Sequence, residues 1–430
     1  MKTENLLLAL TTSVVLTGVM IKTGKPESTE TTVLHTQKAP EEQPCVFMSV
    51  MGEQPVAEYA QYKNDASLKS VVQKGEKWLV SAQNNDGGWG AGSHSNQGEM
   101  NPHAVQSDPA TTAMAAMALY RMGYTTTKGP YQKQLSNALD YLLQQIEANK
   151  NSDYITQVRG TQIQRKLGEN IDAALTLQFL NQVAEKNPSQ RVERAIQICV
   201  NKIEKSYDTN GKVNGAGWAG VLQSSFASSG LEQAKKNKNI TVNEDKITAA
   251  RNYQKSNYNT ESNTAKTEDG AGIMLYAVSS SVRGSASEAK EAEELFTKAK
   301  AEGKIDKTAE LNRDNLQKIG ISKEKAASYD VASKVYKAAK VQAMDNGVMN
   351  GFGNNGGEEF MSFLQTGESM LVKKDNDWKN WYDNVSGKLI NIQNNNGSWN
   401  GHHCITSPVF CTATCLLILT IENDIHSFQK

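Results

Sequence analysis

From about Ser67 onward the apolar positions recur every three to four residues, and strand-like alternation is scarce. The spacing predicts helices in pairs: 67–82 with 109–122, 131–148 with 170–183, 191–205 with 217–229, and 244–254 with 269–282. A longer fifth unit places 287–302 and 323–342 before 358–372, and a sixth places 381–392 before an apolar helix opening at Pro408. The first helix of each pair is the more polar. The second is rich in Ala, Gly, Ser and Thr, which let backbones approach on every side. Two concentric rings demand this division, so the expected fold is all-α, an (α/α)6 toroid of six helix pairs over residues 65–425. An open helical solenoid is the other arrangement the pattern allows.

The turns carry a repeat. Gln83-Asn84-Asn85-Asp86-Gly87-Gly88-Trp89-Gly90 stands between the first two helices, and Gln393-Asn394-Asn395-Asn396-Gly397-Ser398-Trp399 stands in the last unit. Gln precedes Trp by six positions in both. A repeat at the two ends of a chain suggests an array that closes on itself. Gln can hydrogen-bond backbone groups left open at helix ends while Trp covers the apolar seam between pairs, so both read as structural.

Composition narrows the partners. With 46 basic and 46 acidic residues the charge balances, and no basic stripe calls for a nucleic acid. Residues 1–24, with Lys2 ahead of the apolar run from Leu6 to Ile21, have a signal-peptide or signal-anchor pattern, and a Pro/Glu/Thr-rich linker follows over 25–64. The expectation is an exported protein, periplasmic, secreted or membrane-anchored, with membrane or cell-envelope association open. Five cysteines make no disulfide framework, and three of them, Cys404, Cys411 and Cys415, crowd into the last repeat.

The Gln–Trp turns resemble those of squalene and hopene cyclases and of protein prenyltransferase β subunits. The chain is also similar to exported bacterial proteins with prenyltransferase/squalene oxidase repeats, through Arg159–Gly168, Gly353–Phe360 and Gly401–Thr406. The resemblance implies a terpenoid-type ligand in a central cavity. The Asp-x-Asp-Asp acid of squalene-type cyclases is missing from the sequence. Against the zinc ligands of the prenyltransferases, Glu358 aligns with the Asp, Phe360 with the Cys and Cys411 with the His. One ligand is lost and another replaced; Glu358, His403 and Cys411 remain as candidates for zinc.

Inner helices of a toroid begin on one face. That gathers Asp108, Glu169, Asp172, Trp218, Glu268, Asp269, Glu358, Glu359, His402, His403 and Cys404 at one mouth. Of these, Glu358, Glu359, His402, His403, Cys404 and Asp108 are the catalytic candidates: imidazole, thiol and carboxylate can form a metal site or a Cys/His pair. The bland reading is capping and burial. Three functions stay open: a toroid binding an apolar or extended ligand, with or without catalysis at that mouth; a non-catalytic cell-envelope scaffold; and a carbohydrate-active enzyme using Asp108 opposite Glu358 or Glu359 on a glycan.

Overall fold

The computed structural model describes residues 66–424 apart from Ala216 and Asn354. The signal-like segment 1–24 and the linker 25–64 lie outside the described residues. Among them no helix is long and apolar enough to cross a membrane.

Among the described residues, fifteen α-helices and one hairpin of two-residue strands make up the fold. They are α1 (Ala66–Ser81), α2 (Pro109–Arg121), α3 (Gln132–Ala148), α4 (Gln162–Leu167), α5 (Ile171–Lys186), α6 (Gln190–Ser206), α7 (Gly220–Ala234) and α8 (Glu244–Ser256). After the antiparallel strands β1 (Tyr258–Asn259) and β2 (Thr264–Ala265) come α9 (Met274–Ala301), α10 (Arg313–Lys318), α11 (Lys323–Met344) and α12 (Asn346–Met349). The last three are α13 (Gly357–Lys373), α14 (Trp378–Asn391) and α15 (Pro408–Leu419).

Six of these form a closed inner ring. α2 packs on α5, α5 on α7, α7 on α9, α9 on α13, α13 on α15, and α15 returns to α2. The outer ring is α1, α3, α6, α8, α11 and α14, each packed on inner helices. The chain is therefore an all-α toroid, and the solenoid reading falls because the last repeat touches the first.

Local chemistry sets the starts of the inner helices. Asp108 and Ser407 accept from the backbone N–H three residues on, and Pro109 and Pro408 occupy first-turn positions where the missing N–H is no loss. Inside the ring, several small polar residues bond back to their own helix. Ser225 Oγ donates to Val221 O (3.0 Å), Ser281 Oγ to Ala277 O (3.0 Å) and Thr414 Oγ1 to Phe410 O (2.8 Å). Side chains then pin neighbours: Gln178 Nε2 donates to Phe226 O (2.8 Å), Gln365 Nε2 to Ser279 Oγ (2.9 Å), and Arg121 Nη1 to Leu417 O (2.8 Å). The last bond ties α2 to α15 across the closure.

The two Gln–Trp turns superpose in function. Trp89 and Trp399 are fully buried, and each indole N–H donates 2.8 Å to the carbonyl ten residues before it, Leu79 and Leu389. Gln83 Nε2 reaches Gln134 O on α3 (2.9 Å), and Gln393 Nε2 reaches Val71 O on α1 (2.9 Å). Gly87 and Gly397 both have positive φ, and a Cβ on either would lie under 3 Å from the backbone of the next outer helix. Each turn thus staples its pair to the following one, and the last turn staples back to the first helix.

The largest departure from the sequence expectation is a helix boundary that does not exist. The segments 269–282 and 287–302 are a single helix, α9, with Asp269 in the 3-10 turn before it. Gly284 looks like a stop. It instead allows close approach, since a Cβ there would sit 2.4 Å from Gln254 Cβ on α8. The half of α9 beyond the ring buries Ala292 and Phe296 against Leu316, Ala326 and Tyr329, a small satellite core.

Candidate functional site

The ring is open at one end only for part of its depth. A cavity of about 810 Å³ is lined by the middle and C-terminal parts of the inner helices. Met114, Met117, Phe226, Leu364 and Leu417 form a buried apolar floor. Around it stand Arg121, Glu185, Glu232, Lys236, Arg251, Arg283, Glu368 and, from the overshooting half of α9, Lys290, Glu291 and Glu294. The two carboxylates nearest the floor are tied to arginine. Arg121 Nη2 holds Glu368 at 2.6 Å, while Arg251 Nε (2.7 Å) and Arg283 Nη2 (2.6 Å) share Glu232. Burial pushes the Glu232 carboxyl up, but the two guanidinium groups outweigh it and hold it at about 2.

None of the sequence candidates lines this cavity. They sit at the opposite end, where the inner helices begin, and they separate into distinct groups. Asp108 is not an exposed acid facing Glu358. It is fully buried, with Oδ1 accepting from Thr111 N (2.8 Å) and Oδ2 from Ala91 N (2.8 Å) and Thr111 Oγ1 (3.0 Å). Beside it Asp172 accepts from Ala110 N (3.1 Å) and Gln164 Nε2 (2.7 Å), linking α2, α4 and α5. Burial raises Asp108 to about 6, and burial plus the Asp108 charge raises Asp172 to about 7. Both are structural caps, which removes the opposed-carboxylate arrangement a glycoside hydrolase of that design needs. Asp269 is engaged by Lys212 and by Tyr253 Oη (2.7 Å), and Glu268 is exposed.

Glu358, Glu359, His403 and Cys404 do meet. The loop Gly401–Thr406 lies on the start of α13: Gly357 N donates to Ile405 O (3.0 Å), His402 N to Asn355 O (2.7 Å), and Ile405 N to Glu358 Oε2 (3.2 Å). The segment Arg159–Gly168 closes the third side. Gln162 Oε1 accepts from Thr406 N (2.8 Å) and Ser407 N (3.1 Å). Three stretches far apart in sequence thus converge. Glu358 is buried, and burial reinforced by the Glu359 charge pushes its carboxyl up to about 8. Cys404 has φ 59°, and burial, with Glu358 adding, lifts its thiol to about 11 against the pull of the hydrogen-bonded Lys166. That is the opposite of an activated thiolate. His402 is exposed.

The zinc set fails on geometry. Cys411 is fully buried and its thiol donates to Ile405 O (3.6 Å), and burial drives its pKa well above the ordinary value. Among the described residues no three His, Cys, Asp or Glu side chains are placed to hold a metal ion.

Two members were not named from sequence. Tyr276, from α9, donates 2.6 Å to Glu359 Oε1. Lys166, the last-turn lysine of α4, lies 3.9 Å over the Trp218 ring and beside Cys404. Lys166 stood within a stretch already singled out; Tyr276 had no signal apart from being a tyrosine in a small-residue helix.

Comparison with known proteins fits the architecture. Residues 52–160 match the squalene-hopene cyclase C-terminal domain. That domain is one of the prenyltransferase/squalene oxidase repeat family, and the segment is similar to it. It contains the first Gln–Trp turn and helices α1 to α3, so the repeat chemistry of that turn is what the match covers. Lys166, Tyr276, Glu358, Glu359, His403 and Cys404 all fall outside it. No curated protein and no solved structure matches the chain.

Proposed function

We propose that this helical-repeat toroid is a binding protein for an extended amphipathic ligand held in the 810 Å³ cavity. The observation that carries the reading is the change of character with depth, from the apolar floor of Met114, Met117, Phe226, Leu364 and Leu417 to a rim bearing both charge signs. An apolar chain gains by leaving water at the floor, and a polar headgroup finds partners at the rim. Binding is favoured over catalysis because Glu232 and Glu368, the deep carboxylates, are committed to arginines. A cation-forming terpenoid reaction is poorly supported, since Phe226 is the one aromatic residue lining the cavity among the described residues.

The test is displacement of a fluorescent amphiphile by lysophosphatidylcholine and by palmitate. Wild type should bind the dye and release it to one of them. Leu364→Trp, which fills the floor, should weaken binding at least tenfold, about 1.4 kcal/mol, with the helical circular dichroism unchanged. Absence of saturable binding to wild type sinks the reading.

The apolar run Leu6–Ile21 behind Lys2 supports an exported location for this binder. Fractionation should find the full chain outside the cytoplasm and the form lacking residues 1–24 inside it; a full chain retained in the cytoplasm would refute export.

A further inference from the structure

We infer that the end of the ring where the inner helices begin binds a compact cationic group, a primary ammonium or guanidinium, between Glu359 and Phe352. This site is separate from the cavity and does not depend on its ligand. Glu359 is 1% exposed. Its Oε1 accepts twice, from Tyr276 Oη (2.6 Å) and Phe352 N (3.1 Å), while its Oε2 makes no hydrogen bond among the described residues. A buried acceptor left open is expensive, so such an atom points to a missing donor.

The surroundings specify the donor. Lys166 is committed to the Trp218 ring and the Cys404 thiol, and the nearest base to Oε2 is His403 Nε2 at 4.0 Å, beyond hydrogen-bond range. No trio of ligands exists here for a metal. Phe352 is 59% exposed, its N–H donates to Glu359 Oε1, and its ring lies 5.0 Å from that of His403, whose Nε2 is 4.0 Å from the open carboxylate oxygen. Carboxylate beside aromatic is what an N–H-bearing cation recognises, by a charge-assisted hydrogen bond on one side and ring attraction on the other.

Gly356 packs against the same oxygen. Its φ of −141° suits any residue, so glycine is not required by the backbone. A Cβ would instead stand 2.8 Å from Glu359 Oε2 and 3.1 Å from His403 Cε1, filling the space against that oxygen.

The experiment is titration of the full chain with agmatine and n-butylammonium, followed by calorimetry, with tetramethylammonium as a cation that has no N–H. The first two should bind, and tetramethylammonium at least tenfold more weakly. Glu359→Gln and Gly356→Ala should each lose at least tenfold, and the exposed Phe352→Ala severalfold with unchanged thermal stability. Leu364→Trp should bind the amines as wild type does, which separates this site from the cavity. No saturable binding to wild type, or undiminished binding by Glu359→Gln, Gly356→Ala or Phe352→Ala, overturns the proposal.

Discussion

Replacing Trp399 by alanine will lower the unfolding free energy by about 3–5 kcal/mol, the usual consequence of emptying a fully buried aromatic site. The indole is completely buried, donates to Leu389 O at 2.8 Å, and meets α1 of the first repeat, where a Cβ on Gly75 would lie 2.8 Å from its Cζ3. Truncation therefore opens a hole at the one seam that joins the two ends of the array, and it leaves Leu389 O with only the Ile392 N–H as donor. Trp399→Phe keeps most of the volume but not the N–H donor, and should fall between the two. Gln393→Ala acts at the same seam by freeing Val71 O and Gly397 O, for about 1–3 kcal/mol. Urea denaturation of the three variants measures all of this. A Trp399→Ala protein within about 0.5 kcal/mol of wild type would show that the turn does not hold the ring together.

Stability will decline as pH rises from about 5 to 9, and Glu358→Gln will remove much of the decline. Burial raises the Glu358 carboxyl from its ordinary value of 4.5 to about 8, so the folded state holds a proton that the unfolded chain releases. The stabilisation this gives is complete below 4.5 and disappears as pH passes through about 8. Each pH unit inside that window is worth up to about 1.4 kcal/mol. Glutamine cannot ionise, so near pH 9 the variant should be more stable than wild type by about 2–4 kcal/mol, and near pH 5 close to it or slightly weaker. Asp108 and Asp172, raised to about 6 and about 7, slope the same way at lower pH. Glu232 slopes the other way: held at about 2, it stabilises above its ordinary 4.5 and loses that contribution only as pH falls through about 2. Thermal melts across this range decide the matter. Parallel curves for wild type and Glu358→Gln would mean that the carboxyl is ionised at no cost.

The architecture was legible because its determinants are local. Periodicity, the Ser/Thr/Asp caps, Pro109 and Pro408, and the Gln–Trp turns each act within a few residues, and together they placed the repeats. The break read between 282 and 287 was false because a glycine that ends a helix and one that admits a neighbour look alike in sequence; only Gln254 across the contact tells them apart. The site was partly legible. Glu358 and Glu359, in the first turn of α13, and His403 and Cys404, in the loop before α15, share one end of the ring, as expected, but the large cavity lies toward the other. Which end stays open depends on side-chain volume summed over six helices and on the overshoot of α9 beyond the ring, and neither is a property of any single stretch. Asp108 misled because a helix-capping aspartate and a catalytic one have the same local sequence.

The return of α15 to α1 and α2 also bears on how such a molecule can change size. An open stack of repeats gains or loses a member at its ends, each addition meeting one neighbour. A closed ring has no ends to extend. Adding or deleting one pair would alter the angle at every interface at once, so the number six is fixed collectively, and length can change without straining the ring only in the loops and helix extensions that project from its two faces.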